Sequence, residues 1–354
     1  MAKKLMKGNE AIAEAAIACG CRYFFGYPIT PQNEIPEYFA RRMPQVGGVF
    51  LQAESEVAAI NMVYGAGGAG ARVMTSSSSP GIALKQEGIS YLAGAEVPAV
   101  IVNMMRGGPG LGGIQPSQSD YFQATKGGGH GDYRLVTYVP ASIQEACDLV
   151  QKGFDVADKY RCVVMILGDG MIGQMMEPAE IKTVTPIKTD KSWATTGWDG
   201  KSRDRAVVNS IYIEPPELEK LNLRLQERYR IITRDEVMAE QYNTEGAEYL
   251  LVAYGTVSRI AKNAIDLAAQ AGIKVGLVRP ITVWPFPGDT LKNAAAQSSV
   301  REVITVEMSA GQLVEDVRLA VCGEKPVSLI ARMGSIIPTP EDILEFILQS
   351  KGSN

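Results

Sequence analysis

The sequence predicts an α/β protein, with a parallel sheet covered by helices on both faces and a second α/β domain after it. Three observations carry this expectation. Short apolar runs alternate with longer helical stretches, as in parallel sheets buried on both sides. The 354 residues exceed the roughly 150 of a typical single domain. The alternation also breaks once, between about 176 and 246, and then resumes.

Residues 9–19 are Ala-rich and end at Gly20, so a helix is expected there, with Asn9 available as its N-cap. A short strand follows at 22–25, then helix 32–42 with Pro31 suited to its first position. Strand 48–52, helix 55–64, strand 71–75 and helix 81–93 continue the pattern. Strands at 98–104, 134–139 and 162–167 enclose a Gly-rich loop and a helix at 141–159. Pro178, Pro186, Pro215, Pro216 and two Trp mark the interruption, which contains a mainly helical piece near 217–242. Strands 250–253, 274–278, 302–306 and 327–330 then alternate with helices 256–271, 289–298, 311–321 and 340–350.

Composition narrows the chemistry. With 35 basic and 39 acidic residues the net charge is −4, and no basic cluster offers a nucleic-acid face. No apolar run reaches the ~18–20 residues that span a bilayer, and no apolar stretch follows Lys3 and Lys4 as in a secretion signal. The expected location is the cytoplasm. Cys19, Cys21, Cys147, Cys162 and Cys322 form no C-x-x-C pair, so iron–sulfur ligation by this chain is not expected; buried free thiols are. One histidine excludes a His-rich metal site.

Several motifs sit where open α/β sheets bind ligands, at strand carboxyl ends. Gly26–Pro31 places Thr30 between two prolines after the first long strand. Gln52–Asn61 carries Glu54 and Glu56 into an apolar helix; acids favour a first turn, and Glu56, next to Val57–Ile60, is expected to point inward. Arg106 ends another strand, before a loop with five Gly in 107–113, a setting suited to carboxylate recognition. That loop continues to about 134 and carries His130. Gly65–Gly70 spells G-x-G-x-x-G, but helix precedes and strand follows, the reverse of a dinucleotide site, so close packing is expected. Leu167–Gly170 resembles the start of a metal–diphosphate motif. No Asn follows before Asn209, so Asp169 is expected to turn a loop.

In order, Tyr27–Pro31, Glu54–Glu56, Thr75–Gly81, Arg106–Pro109, Gly129–Tyr133, Ala253–Thr256, Arg279–Pro287 and Val306–Gln312 are not generic. The chain resembles the alpha subunits of 2-oxoacid:ferredoxin oxidoreductases. Residues 112–118 and 126–129 look most like the branched-chain, 3-methyl-2-oxobutanoate type, with the 2-oxoglutarate type as alternative. The resemblance implies a thiamine diphosphate pyrimidine-binding domain over 1–175, a connecting segment at 176–246 and a transketolase C-terminal-like domain at 247–354. It implies that Glu56 bonds N1′ of the aminopyrimidine, that Pro28 and Ile29 line the cofactor, and that Thr30 and Arg106 hold the 2-oxo-carboxylate. In such chemistry the ring's 4′ nitrogen takes the thiazolium C2 proton, carbon dioxide leaves, and single electrons pass to ferredoxin. Coenzyme A then releases an acyl-CoA. Magnesium and iron–sulfur clusters would reside on partners: a beta subunit with the diphosphate-binding domain, and gamma and ferredoxin-like delta subunits. A dicarboxylate substrate would need a second cation, for which Lys126, His130 or Arg134 are available. A non-catalytic scaffold subunit is the alternative of another class.

Overall fold

The computed structural model describes residues 3–201 and 204–352. The larger sheet is built from β2 (Tyr23–Gly26), β3 (Val49–Gln52), β4 (Val73–Ser77), β5 (Ala99–Met105), β6 (Val136–Tyr138) and β7 (Val163–Asp169). These run parallel, in the order β6-β7-β5-β4-β2-β3. Alternate residues of β5 feed two cores. Val100, Val102 and Met104 pack among α1 (Gly8–Ala18), α2 (Glu34–Arg42) and α6 (Ile143–Tyr160). Ala99, Ile101 and Met105 face the other side, with α3 (Glu56–Gly68) and α4 (Ser79–Gly94). Both faces are therefore covered, as the unbroken apolar strands require.

The sheet gains an unpredicted strand. β12 (Thr282–Trp284), from far along the chain, pairs antiparallel with β6. A second unpredicted ribbon joins β1 (Lys4–Lys7) to β8 (Met176–Ala179). Two short helices, α5 (Tyr121–Thr125) and α7 (Gly170–Gln174), occupy stretches read as loop. Of the expected helix at 217–242, residues Pro215–Asp235 form α8, whereas Ala239–Tyr242 form β9, paired antiparallel with β11 (Val275–Pro280). α8 is clasped by Glu96, which accepts from Arg224 at 2.7 Å and Arg228 at 2.5 Å.

The smaller sheet has the order β14-β13-β10-β11-β9, with β10 (Tyr249–Val252), β13 (Glu302–Glu307) and β14 (Val327–Ala331) parallel to β11. Helices α9 (Gly255–Gln270), α10 (Gly288–Ala295), α11 (Leu313–Val321) and α12 (Pro340–Gly352) complete it.

Two local expectations fail for a shared reason. Asn9 does not cap α1, which starts at Gly8; its amide donates to the Pro31 carbonyl and to Glu34, both at 2.8 Å. Pro31 is correspondingly not the first residue of α2, which begins at Glu34. The turn is tied to α1 instead. Cys322 is exposed, unlike the other four cysteines, which are buried. Burial pushes the Cys19 and Cys147 thiols up to about 12, which keeps them protonated.

The two sheets meet through Gln118. Its backbone N–H donates to the Met308 carbonyl at 2.9 Å, and its side chain accepts from the Met308 N–H at 3.0 Å and donates to the Tyr254 carbonyl at 3.0 Å. Asp169, at the end of β7, accepts from the N–H groups of Met171 and Ile172 at 2.9 and 3.1 Å and from the Thr256 hydroxyl. It caps α7 and docks α9, so its oxygens are committed. Gln118→Ala strands the buried Met308 N–H and leaves the Tyr254 carbonyl with only the Ser258 N–H at 3.4 Å. It should cost about 2–4 kcal/mol in chemical denaturation, and a loss below about 0.5 kcal/mol would show that the clasp is not structural.

Candidate active site

Glu56 opens α3. Ser55 caps that helix, its hydroxyl accepting the Ala58 N–H at 3.2 Å, a contact worth about 1 kcal/mol. The cap fixes which acid turns inward: Glu54 is exposed, and Glu56 is only 6% exposed. Gly81, in the first turn of α4, makes room for its carboxylate. A Cβ at position 81 would stand 2.1 Å from Ser77 Oγ and 2.6 Å from Glu56 Oε1.

The same end of α4 supports the arginine. Asn103, on β5, accepts the Ser79 N–H at 3.1 Å, and the Ser79 hydroxyl accepts the Arg106 N–H at 3.0 Å. The Arg106 guanidinium is buried. It donates to the Thr30 carbonyl at 2.9 Å and the Leu111 carbonyl at 3.0 Å, while its Nε is buried without a hydrogen-bond partner. A buried guanidinium N–H with no acceptor is a donor left unpaired by the protein itself. The Thr30 hydroxyl is half-buried and accepts from Asn33 at 3.3 Å; Ile29 is half-buried and Pro28 exposed.

Two clefts adjoin the contact between Arg106 and the Thr30 carbonyl, one lined by Arg106 and the other by Thr30. One, of about 450 Å³, is lined by Arg106 with Pro80, Pro109, Met308, Ala310 and Met333. Its only other charged lining group is Asp120, which accepts from Ser79 at 2.6 Å and Asn103 at 2.9 Å. Burial holds the Asp120 carboxyl above its usual range, against those two hydrogen bonds. The other cleft, of about 610 Å³, includes Thr30, Pro31, Gln115, Gly170 and Gln174. Thr30 and Arg106 are joined through the Thr30 carbonyl but line different clefts, and Glu56 lines neither. Its carboxylate adjoins Gly81, in the same first turn of α4 whose Ser79 holds Arg106. The remaining cations do not join them. Lys126 pairs with Asp316, Lys126 and Arg134 line a separate cleft beside α8, and His130 lines another with Tyr91 and Leu225.

Sequence patterns missed Asp120, Met308 and Lys85. Met308 arrives from the second sheet, and Asp120 from a loop with no periodicity. Lys85 carries a legible signal, since it shares one helical face with Gly81 and Gly88. Within Gly65–Gly70 the expected close packing is found at Gly67 and Gly70, where a Cβ would lie 2.6 Å from Val97 Cγ1 and 2.9 Å from Ala194 Cβ, and not at Gly65.

The fold and these clefts define an α/β protein with a cleft at the carboxyl edge of its larger sheet, lined also by residues of a second α/β region. Residues 14–221 match the family described as pyruvate flavodoxin/ferredoxin oxidoreductase, thiamine diphosphate-binding, and residues 247–343 match pyruvate:ferredoxin oxidoreductase core domain II. The ketoisovalerate oxidoreductase subunit VorB of Methanothermobacter marburgensis is 50% identical, covering 100% of this chain and 99% of that protein. The 2-oxoglutarate synthase subunit KorA of Archaeoglobus fulgidus is 37% identical over 98% of this chain and 99% of that protein. A solved 2-oxoglutarate:ferredoxin oxidoreductase from Magnetococcus marinus, with 2-oxoglutarate, coenzyme A and succinyl-CoA bound, superposes with a TM-score of 0.87 at 26% identity. The match covers 98% of this chain, which spans 65% of that longer one. The chain belongs to the 2-oxoacid:ferredoxin oxidoreductase family, as an alpha-type subunit.

Gly81→Ala should displace the Glu56 carboxylate and cost about 1–3 kcal/mol in thermal or chemical denaturation. Gly65→Ala, with open space around it, should stabilise by about 0.5–1 kcal/mol. Equal effects of the two changes would show that the Gly81 contact is slack.

Proposed function

We propose that this chain supplies the pyrimidine side of a shared thiamine diphosphate site, in a cytoplasmic enzyme that oxidatively decarboxylates branched-chain 2-oxo acids such as 2-ketoisovalerate. Coenzyme A accepts the acyl group and ferredoxin the electrons. We divide the chain at the expected boundaries: residues 1–175 carry the site, 176–246 connect, and 247–354 close it.

The residues present suit one half of the cofactor. The buried Glu56 carboxylate, in the space Gly81 leaves, can share a proton with N1′ of the aminopyrimidine, flanked by Pro28 and Ile29. Bound thiamine diphosphate supplies the electron sink for decarboxylation. Arg106 can bond a substrate carboxylate through Nε, and its two bonds to backbone carbonyls fix the direction from which that carboxylate comes. Thr30, whose carbonyl accepts from Arg106, would meet the substrate from the adjoining cleft. A moderate grip suits the reaction, because strong pairing with a carboxylate that departs as carbon dioxide would stabilise the ground state.

The diphosphate and its magnesium belong on a partner. Asp169, the one element of a metal–diphosphate motif, has given its oxygens to Met171, Ile172 and Thr256. Val49, Leu51, Val57 and Leu84 are exposed on β3, α3 and α4, and offer apolar surface to a beta subunit. Gamma and ferredoxin-like delta subunits would hold the clusters. No helix among the described residues is long and apolar enough to cross a membrane.

The observation that carries the substrate class is the lining of the Arg106 cleft. Its exposed wall is mainly apolar, with Ser79, Ser117, Ser119, Ser309 and Gln312 as neutral polar groups, and the further charged group there is the carboxyl of Asp120. A branched aliphatic chain gains from that wall, whereas the distal carboxylate of 2-oxoglutarate meets no second cation. A scaffold has no use for a buried glutamate and an unpaired guanidinium N–H.

In the complete enzyme, kcat/KM for 2-oxoisovalerate should exceed that for 2-oxoglutarate by about 100-fold or more, measured by dye or ferredoxin reduction. A preference for 2-oxoglutarate would overturn the substrate class. Glu56→Ala should lower turnover at least about 100-fold, and unchanged turnover would overturn the catalytic assignment.

A further inference from the structure

α4 meets α3 along a face that carries a lysine between two glycines. Gly81, Lys85 and Gly88 follow one another at helical spacing. A Cβ at Gly88 would stand 2.4 Å from Ile60 Cγ2, and one at Gly81 would stand 2.6 Å from Glu56 Oε1. The helices are therefore in close contact, and Lys85 lies in that contact, fully buried. Its Nζ donates to the backbone carbonyl of Glu56 at 3.4 Å. Glu56 is also the charged group that acts on it, and burial outweighs that attraction to bring the Lys85 ammonium down to about 8. Packing gives no reason for a cation here, since methionine fills a similar volume without burying charge.

The geometry points to Lys85 as a positioning residue for Glu56: it pins the first turn of α3 through the Glu56 carbonyl and presents a positive charge to the Glu56 carboxylate. The inference rests on the assignment of Glu56 to the pyrimidine N1′. When a proton moves from the Glu56 carboxyl to that ring nitrogen, a full negative charge is left on the carboxylate. An ammonium across the α3–α4 contact stabilises that charge, and on return the proton goes back to the same carboxylate. No other reactant is consumed. The effect belongs to protonated Lys85, so it is present below about 8 and fades above it.

The test uses the assembled enzyme loaded with thiamine diphosphate and no 2-oxo acid, and follows exchange of the cofactor C2 proton for deuterium by quenched NMR. Lys85→Met should slow exchange about tenfold or more at neutral pH, with the cofactor Kd changed less than about threefold. Its Tm should change little, because the desolvation cost of the ammonium is removed together with its attraction to Glu56. The wild-type to variant rate ratio should fall towards one as pH rises through about 8. Lys85→Gln, which keeps a donor for the Glu56 carbonyl but no charge, should behave alike and serves if the Met variant fails to assemble. Wild-type exchange in these variants overturns the proposal. So does slowed exchange that tracks a lower Tm and weaker cofactor binding at a constant ratio across pH, which marks packing alone. Glu56→Gln separates the two layers: wild-type exchange there refutes the Glu56 assignment itself. Slow exchange in Glu56→Gln beside normal exchange in Lys85→Met refutes only the role of Lys85.

Discussion

The hydrogen bond from the Arg106 guanidinium to the Thr30 carbonyl joins two strand ends that are not neighbours. β4 lies between β2 and β5, so the turn after β2 and the loop after β5 would otherwise be independent. The arginine bridges them, reaches on to Leu111, and is itself held by Ser79 at the start of α4. A buried guanidinium is costly unless its N–H groups are used. Two carbonyls and one free Nε leave it stable enough to persist and incomplete enough to bind. The Thr30 turn, the glycine loop and the start of α4 are all tied to it.

That arrangement fits the proposed reading, in which the chain supplies half of a shared site and its residues would act on a ring nitrogen, a carboxylate or an acyl chain. Nothing it contributes is suited to a diphosphate, because the one acid that could help, Asp169, is consumed in docking the second domain through Thr256. Stability and function divide the available carboxylates here. Glu307 takes the same structural path, accepting the N–H groups of Gln312, Leu313 and Val314 at the start of α11. Glu56 is buried with little of that compensation, which is the setting in which a carboxylate is left to do chemistry.

Most of the parallel sheet was legible because its strands are buried on both faces and its helices are long. Glu56 could be preferred over Glu54 from the apolar residues after it, and Ser55 capping is the physical reason the preference holds. Elements that depend on distant partners were not legible. β12 is three residues long and takes its meaning from β6, and the β1–β8 ribbon joins positions far apart in the chain. Asn9 satisfies the rules for a cap, yet Pro31 and Glu34 offer its amide better partners. The apolar lining of the Arg106 cleft was likewise hidden, since Met308 and Met333 reach it from the second sheet. A glycine–lysine–glycine helical face was readable but has no meaning until the opposing residue is known.

The central claim is that this chain holds the pyrimidine end of the cofactor and depends on a partner for the diphosphate end. Calorimetric titration of magnesium thiamine diphosphate into the isolated chain and into the assembled enzyme tests it most directly. Affinity at least about 100-fold weaker for the isolated chain, equivalent to about 2.7 kcal/mol, is the predicted result. Equal, tight, saturable binding by the chain alone would contradict it.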